Sequence, residues 1–353
     1  MKSTVFAIAA ALALIATASP RVAGASRYGV TTSADTIALA DRTTGTVVSI
    51  APTVGNIAFS MKVNGHDVLW WPSTSLADFK AKPQMSGIPF LGPWANRLDE
   101  QAFWANGKRY PFDMTLGNIR GANGLSAAIP IHGFVTTTDK WRVVEARASG
   151  SAAWVTSRLE FFREPSWMKQ WPFAHAIEIT YRLQDGVLEV ATAITNMSAE
   201  PMPIAIGFHP FFQLTDAPRD DWTISVGART HWKLAANKVP TGETERIEQV
   251  FPTPHAAALR DYDLDDVFGD LERDAKGRAS LSVTGKAQRL EVVLGPNYRS
   301  AVVWAPKGRP FICFEPMVGI TDAVNLAERG LYKELQSVAP GATWRESFWI
   351  RAR

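Results

Sequence analysis

The chain has 353 residues, 46% hydrophobic and 20% charged, with 25 Gly and 22 Pro. That composition excludes a largely disordered or low-complexity chain and allows a sizeable core, in one large domain or two smaller ones. The formal charge of +3 lacks the strong basic excess expected of a nucleic-acid binder.

The N-terminus opens with Met1 and Lys2, continues as an apolar run from Val5 to Ile15, and reaches small residues ending Ala23-Gly24-Ala25. A basic start, a short apolar stretch and an Ala-x-Ala end read as a secretory signal peptide over residues 1–25. Cleavage is expected after Ala25, with Ala18 as the alternative. The run is too short for a permanent membrane anchor. Removing it leaves 353 − 25 = 328 residues and takes away Lys2 and Arg21, so 37 − 2 = 35 basic residues face 34 acidic ones. The expectation is an exported protein, periplasmic or secreted, without stable membrane insertion once the leader is gone. The chain has one cysteine, Cys313, which excludes an intrachain disulfide and reads as a small buried hydrophobe.

Past the leader the hydrophobic period is two. Ile177, Ile179, Tyr181 and Leu183 alternate with Glu178, Thr180 and Arg182. Trp222, Ile224 and Val226 alternate with Thr223 and Ser225, and Trp344, Phe348 and Ile350 follow the same rhythm less cleanly. Half-buried antiparallel strands have this pattern, because successive side chains face opposite sides. Asn64-Gly65, Asn106-Gly107, Asp185-Gly186 and Gly295-Pro296-Asn297 mark turns between runs. The best helical candidate is Ala323–Leu335, interrupted by Gly330. One all-β domain over residues 26–353 is the simplest organisation, and two packed sheets or a barrel both satisfy it. Most of the 13 Trp and 18 Phe are expected in the core, with any exposed tryptophan free to stack on a sugar.

Motifs narrow the chemistry. The six histidines form no HExxH and no close pair, so no metal site is expected. Neither a Gly-rich phosphate loop nor a GxSxG elbow is present. Four segments instead place polar groups in apolar surroundings: Gly87–Leu98, Ile131–Phe134, Ile204–Phe212 and Phe311–Pro316. Glu315 stands among aromatic and aliphatic residues, where a carboxylate must be paired, hydrogen-bonded or protonated. Such burial raises its pKa and suits it to general-base work, or else it is a structural carboxylate. His209, between Phe208 and Pro210, is a candidate acid or base near neutral pH, or else a satisfied core histidine. His132 and the pair Asn96-Arg97 are weaker candidates for binding polar groups.

Taken in order, these pieces resemble the aldose 1-epimerase (galactose mutarotase) family. The matching stretches are Gly92-Pro93-Trp94-Ala95-Asn96-Arg97-Leu98, His132-Gly133, Gly207-Phe208-His209-Pro210-Phe211-Phe212, Leu264-Asp265-Asp266-Val267-Phe268 and Phe314-Glu315-Pro316. The resemblance implies a β-supersandwich of large antiparallel sheets. It implies a cofactor-free interconversion of the α and β anomers of a free monosaccharide. By the same resemblance, Glu315 would be the general base at the C1 hydroxyl and His209 the general acid at the ring oxygen. His132 would bind near C1, Asn96 and Arg97 would hold hydroxyls, and Asp265 would accept hydrogen bonds from hydroxyls remote from C1. The doubled aspartate leaves Asp266 as a rival to Asp265, and spacing to Phe268 favours Asp265. Departures from the family pattern lie in Gly121–Ile131 and at Phe134. Two alternatives stay open: a non-catalytic carbohydrate-binding module, and an epimerase of hexose 6-phosphates using Arg97, Lys108 and Arg120. A hydrolase would need a second carboxylate beside Glu315. Cys313 precedes Glu315 by two positions, which on a strand puts both side chains on one face.

Overall fold

The computed structural model describes residues 26–119 and 129–353. The leader at 1–25, Arg120 and the stretch 121–128 lie outside the described residues. Three sheets dominate. The N-terminal one is a five-stranded antiparallel meander over Tyr28–Thr32, Ile37–Asp41, Thr46–Ala51, Ile57–Val63 and His66–Asp67. A nine-stranded sheet is centred on His175–Gln184, Val187–Asn196 and Thr343–Ala352. An eight-stranded sheet runs through Ala228–Leu234, Leu264–Leu271, Ser300–Ala305 and Ile312–Met317 to the short strands Gly207–Phe208 and Phe90–Leu91.

The expected period-two strands form. In His175–Gln184 the side chains of Ile177, Ile179, Tyr181 and Leu183 are buried, and those of Glu178, Thr180 and Arg182 are half-buried. Trp344, Phe348 and Ile350 are buried in Thr343–Ala352. Phe348 meets Phe208 of the eight-stranded sheet with ring centroids 5.0 Å apart, so the inner faces of the two large sheets share one core. That hydrophobic cluster also takes in Leu39 and Val48 of the meander. The meander is tied down further where Gly186 N–H donates to Asp41 and Tyr181 Oη donates to the Asn56 carbonyl.

The hairpin turns follow from their residues. Asp185 and Gly186 both have positive φ, 51° and 72°, which is the two-residue turn whose twist matches the flanking strands. Asn64-Gly65 and Asn106-Gly107 do the same. Gly295-Pro296-Asn297 carries the chain from Arg289–Leu294 of one large sheet to Ser300–Ala305 of the other.

The helix is shorter than its sequence pattern. It spans Ala323–Glu328 only, not Ala323–Leu335. Gly330 takes φ 71°, its N–H bonds the Ala327 carbonyl, and Leu331 N–H bonds the Leu326 carbonyl. This paired closure satisfies the last carbonyls and ends the helix. None of the 13 tryptophans is fully exposed. Trp94, Trp171 and Trp222 are among the largest buried side chains. Among the described residues no helix is long and apolar enough to cross a membrane.

Candidate active site

The strand Ile312–Met317 divides its residues by parity. Ile312 and Phe314 enter the core between the large sheets, while Cys313 and Glu315 point to the other face. The expectation that these two share a face is met. On one side Gly207 pairs with Met317 and Phe211 with Cys313, a register that sets His209 across from Glu315. On the other side Val302 faces Glu315 and Trp304 faces Cys313. One strand further, Asp265 faces Trp304. Two adjacent rows across the sheet therefore read His209, Glu315, Val302, and Phe211, Cys313, Trp304, Asp265.

His209 Nε2 lies 3.1 Å from Glu315 Oε1. Glu315 is 1% exposed, and its Oε2 has no hydrogen-bond partner among the described residues. Burial pushes the Glu315 carboxyl well above its ordinary range, the negative charge of Asp265 adds to this, and Arg97 partly offsets it. The His209 ring is flanked by aromatics. It stacks on Phe211 at 4.6 Å between centroids and meets the edge of Trp304 at 5.5 Å.

The segment Gly87–Leu98 borders the site through Phe90–Leu91, which pairs with Gly207–Phe208. Its Pro89 carbonyl accepts His209 N–H, and Ala95 N–H donates to the Ala205 carbonyl. Asn96 and His132 both sit in the left-handed region, φ 59° and 61°, an uncommon conformation for non-glycine residues and one that clusters at functional sites. They hold each other. His132 N–H donates to the Asn96 carbonyl, and Asn96 N–H donates to His132 Nδ1 at 3.1 Å. Nδ1 is therefore the acceptor nitrogen. Gly133 follows at φ 60°, its backbone against Gly92, and an added Cβ would lie 1.9 Å from the Gly92 carbonyl oxygen. Glycine at position 133 is thus a packing requirement.

Arg97 joins the halves. Its Nη1 donates to Asn96 Oδ1 at 3.1 Å and its Nη2 to Asp265 Oδ2 at 3.1 Å. The His132 and His209 rings meet edge to face, centroids 5.4 Å apart. All six residues singled out in the sequence thus form one connected set running Asp265, Arg97, Asn96, His132, His209, Glu315. Asp266 does not join it, because the two-residue period turns it to the other face, onto His231. Lys108 lies on the surface in an ion pair with Glu200. Trp304 was not separable in the sequence from core aromatics; cross-strand register puts it beside His209, whereas Phe211 lies two positions along the chain from that histidine. Cys313 is fully buried against Phe211 and Phe311. Burial, then the charges of Glu315 and Asp265, push its thiol up, so it is a poor nucleophile there.

A family model described as aldose 1-epimerase matches residues 36–351. The chain belongs to the aldose 1-epimerase family. Among solved structures, it resembles a galactose mutarotase-like protein from Clostridium acetobutylicum, with TM-score 0.79 and 21% identity over 93% of this chain and 98% of that one. An aldose epimerase homologue from C. elegans gives TM-score 0.68 and 16% identity, covering 88% and 96% of the two chains. A galactose 1-epimerase from Lactobacillus acidophilus gives 0.65 and 15%, covering 92% and 98%. At these identities the likeness establishes the galactose mutarotase-like fold.

Proposed function

We propose that this protein is an aldose 1-epimerase that interconverts the α and β anomers of a free monosaccharide. The observation that carries the reading is the buried pair His209 and Glu315, 3.1 Å apart on the face of the sheet opposite the main core. Opening a hemiacetal removes a proton from the C1 hydroxyl and delivers one to the ring oxygen. Both oxygens are bonded to C1, so the acid and the base must be near neighbours. Glu315 takes the hydroxyl proton and His209 protonates the ring oxygen. The C1–C2 bond of the open aldehyde rotates, and reclosure from the other face inverts C1. In that return step Glu315 gives its proton back to the carbonyl oxygen and His209 recovers its own from the C5 hydroxyl.

Arg97 and Asn96 hold ring hydroxyls in this reading, His132 lies toward C1, and Asp265 accepts from hydroxyls far from C1. Trp304, between Asp265 and His209, offers an apolar surface to the sugar's C–H face. Arg97 is committed to Asp265 and Lys108 to Glu200, an arrangement that suits a neutral sugar better than a phosphorylated one. Export by the leader at residues 1–25 belongs to the same reading, and N-terminal sequencing of protein recovered outside the cytoplasm should begin at Ser26.

Polarimetry with freshly dissolved α-hexoses and pentoses tests the proposal. At least one sugar should equilibrate faster than in buffer. A panel that equilibrates at the buffer rate throughout would overturn it.

A further inference from the structure

Asp266 follows Asp265 in sequence but faces the opposite side of the sheet from Arg97 and Glu315. Its Oδ2 accepts the N–H of Asp265 at 3.0 Å, and its Oδ1 lies 2.9 Å from His231 Nε2. The second ring nitrogen of His231, Nδ1, lies 2.9 Å from Glu245 Oε1. His231 stands on Ala228–Leu234, between the strand that carries Asp266 and the strand Pro240–Arg246 that carries Glu245. A ring with a carboxylate on each nitrogen is satisfied only when both nitrogens bear protons. Burial alone would lower the His231 pKa, but the hydrogen bonds and charges of Asp266 and Glu245 outweigh it and hold the ring above its ordinary value.

Asp265 depends on this arrangement. Its carboxylate is partly exposed and is bonded by Arg97, and the direction in which it points follows from its backbone. That backbone is held by pairing with Ser300–Ala305 on one side and, through its own N–H, by Asp266. Asp266 is in turn held by His231, and His231 by Glu245 at the far strand.

We propose that Asp266, His231 and Glu245 form a positioning relay that aims Asp265 at the sugar hydroxyls from behind the sheet, none of the three touching the sugar. The inference deepens the mutarotase reading and rests on it for its kinetic consequence. Asp265 acts far from C1, so misdirecting it removes binding common to ground and transition states. Asp266→Ala and His231→Phe should therefore raise KM roughly tenfold, about the loss of one hydrogen bond, while kcat stays within about twofold of wild type. Asp266→Asn keeps an acceptor for the Asp265 N–H and can donate to a neutral His231, so its KM should return close to the wild-type value.

Two structural readouts need no activity. Nitrogen NMR should show both ring nitrogens of His231 protonated at neutral pH. A crystal structure of Asp266→Ala should show the Arg97–Asp265 contact opened beyond hydrogen-bonding distance. An unchanged KM in both disruptive variants, or kcat falling in step with any rise in KM, overturns the relay. If no sugar is turned over, the mutarotase reading fails, and the Arg97–Asp265 distance alone decides: a contact still at 3.1 Å in Asp266→Ala overturns the relay as well.

Discussion

Glu315 answers two opposing demands. A base must be ionised to accept a proton, yet this carboxyl is buried, lies near the charge of Asp265, and is pushed well above 4.5. Replacing it by Gln should therefore separate activity from stability. Glu315→Gln, like His209→Asn, should lose roughly 10²–10⁴-fold in turnover by polarimetry while keeping its circular dichroism spectrum. A variant within about tenfold of wild type would remove that residue from its assigned role. The stability sign is fixed by linkage. A carboxyl whose folded pKa lies above its unfolded one favours the folded state while protonated, and loses that contribution as pH rises from about 4.5 through the folded value. Glu315→Gln has no such loss, so its melting temperature should exceed that of wild type by a margin that widens with pH over that window. The same shift governs catalysis. The acid limb of kcat/KM should lie above the usual carboxylate range. Asp265→Asn removes a charge that raises the Glu315 pKa, so the limb should move to lower pH; Arg97→Gln should move it to higher pH. A limb that stays in place in both variants would mean that the titrating group is not Glu315.

At the scale of elements, the site is assembled by register and by two left-handed turns. Pairing along Ile312–Met317 puts His209 opposite Glu315, and a one-residue slip would turn Glu315 into the core. The contact between Gly133 and Gly92 holds His132 in its left-handed conformation. Gly133→Ala should cost about 3 kcal/mol by denaturant unfolding, since an added methyl meets backbone rather than a movable side chain. Gly330→Ala has open space around it and only the left-handed cost of roughly 1 kcal/mol. Equal losses in the two variants would contradict this distinction between packing and conformation. Sequence periodicity was enough to place the strand under Tyr181 and the turn at Asp185-Gly186, because both signals are local. It overran the helix beyond Glu328 because a period of 3.6 carries no information about where a glycine closes the last turn.

The whole molecule ties its sheets to a single buried cluster that includes Leu39, Ile179 and Phe314. Unfolding should therefore be one cooperative transition, with far-ultraviolet dichroism and tryptophan fluorescence superimposing on a common denaturant curve. Separate midpoints would divide residues 26–353 into more than one unit. The amino-acid sequence alone determined the strand-rich class, the tight hairpins and the residue types fit for acid–base work. These follow from side-chain period, from φ preferences at Asn-Gly and Asp-Gly, and from the cost of a carboxylate in an apolar run. The tertiary structure decided which of those groups act together. Arg97 and Asp265 are 168 positions apart and meet at 3.1 Å. The choice between Asp265 and Asp266 rests on which face of one strand lies toward Glu315 and Arg97, and the place of Trp304 beside His209 rests on the pairing of Ile312–Met317 with Phe211–Phe212, which is distant in the chain. A contact between residues so far apart has no local signature, because it is created only when the sheets pair and close around their shared core.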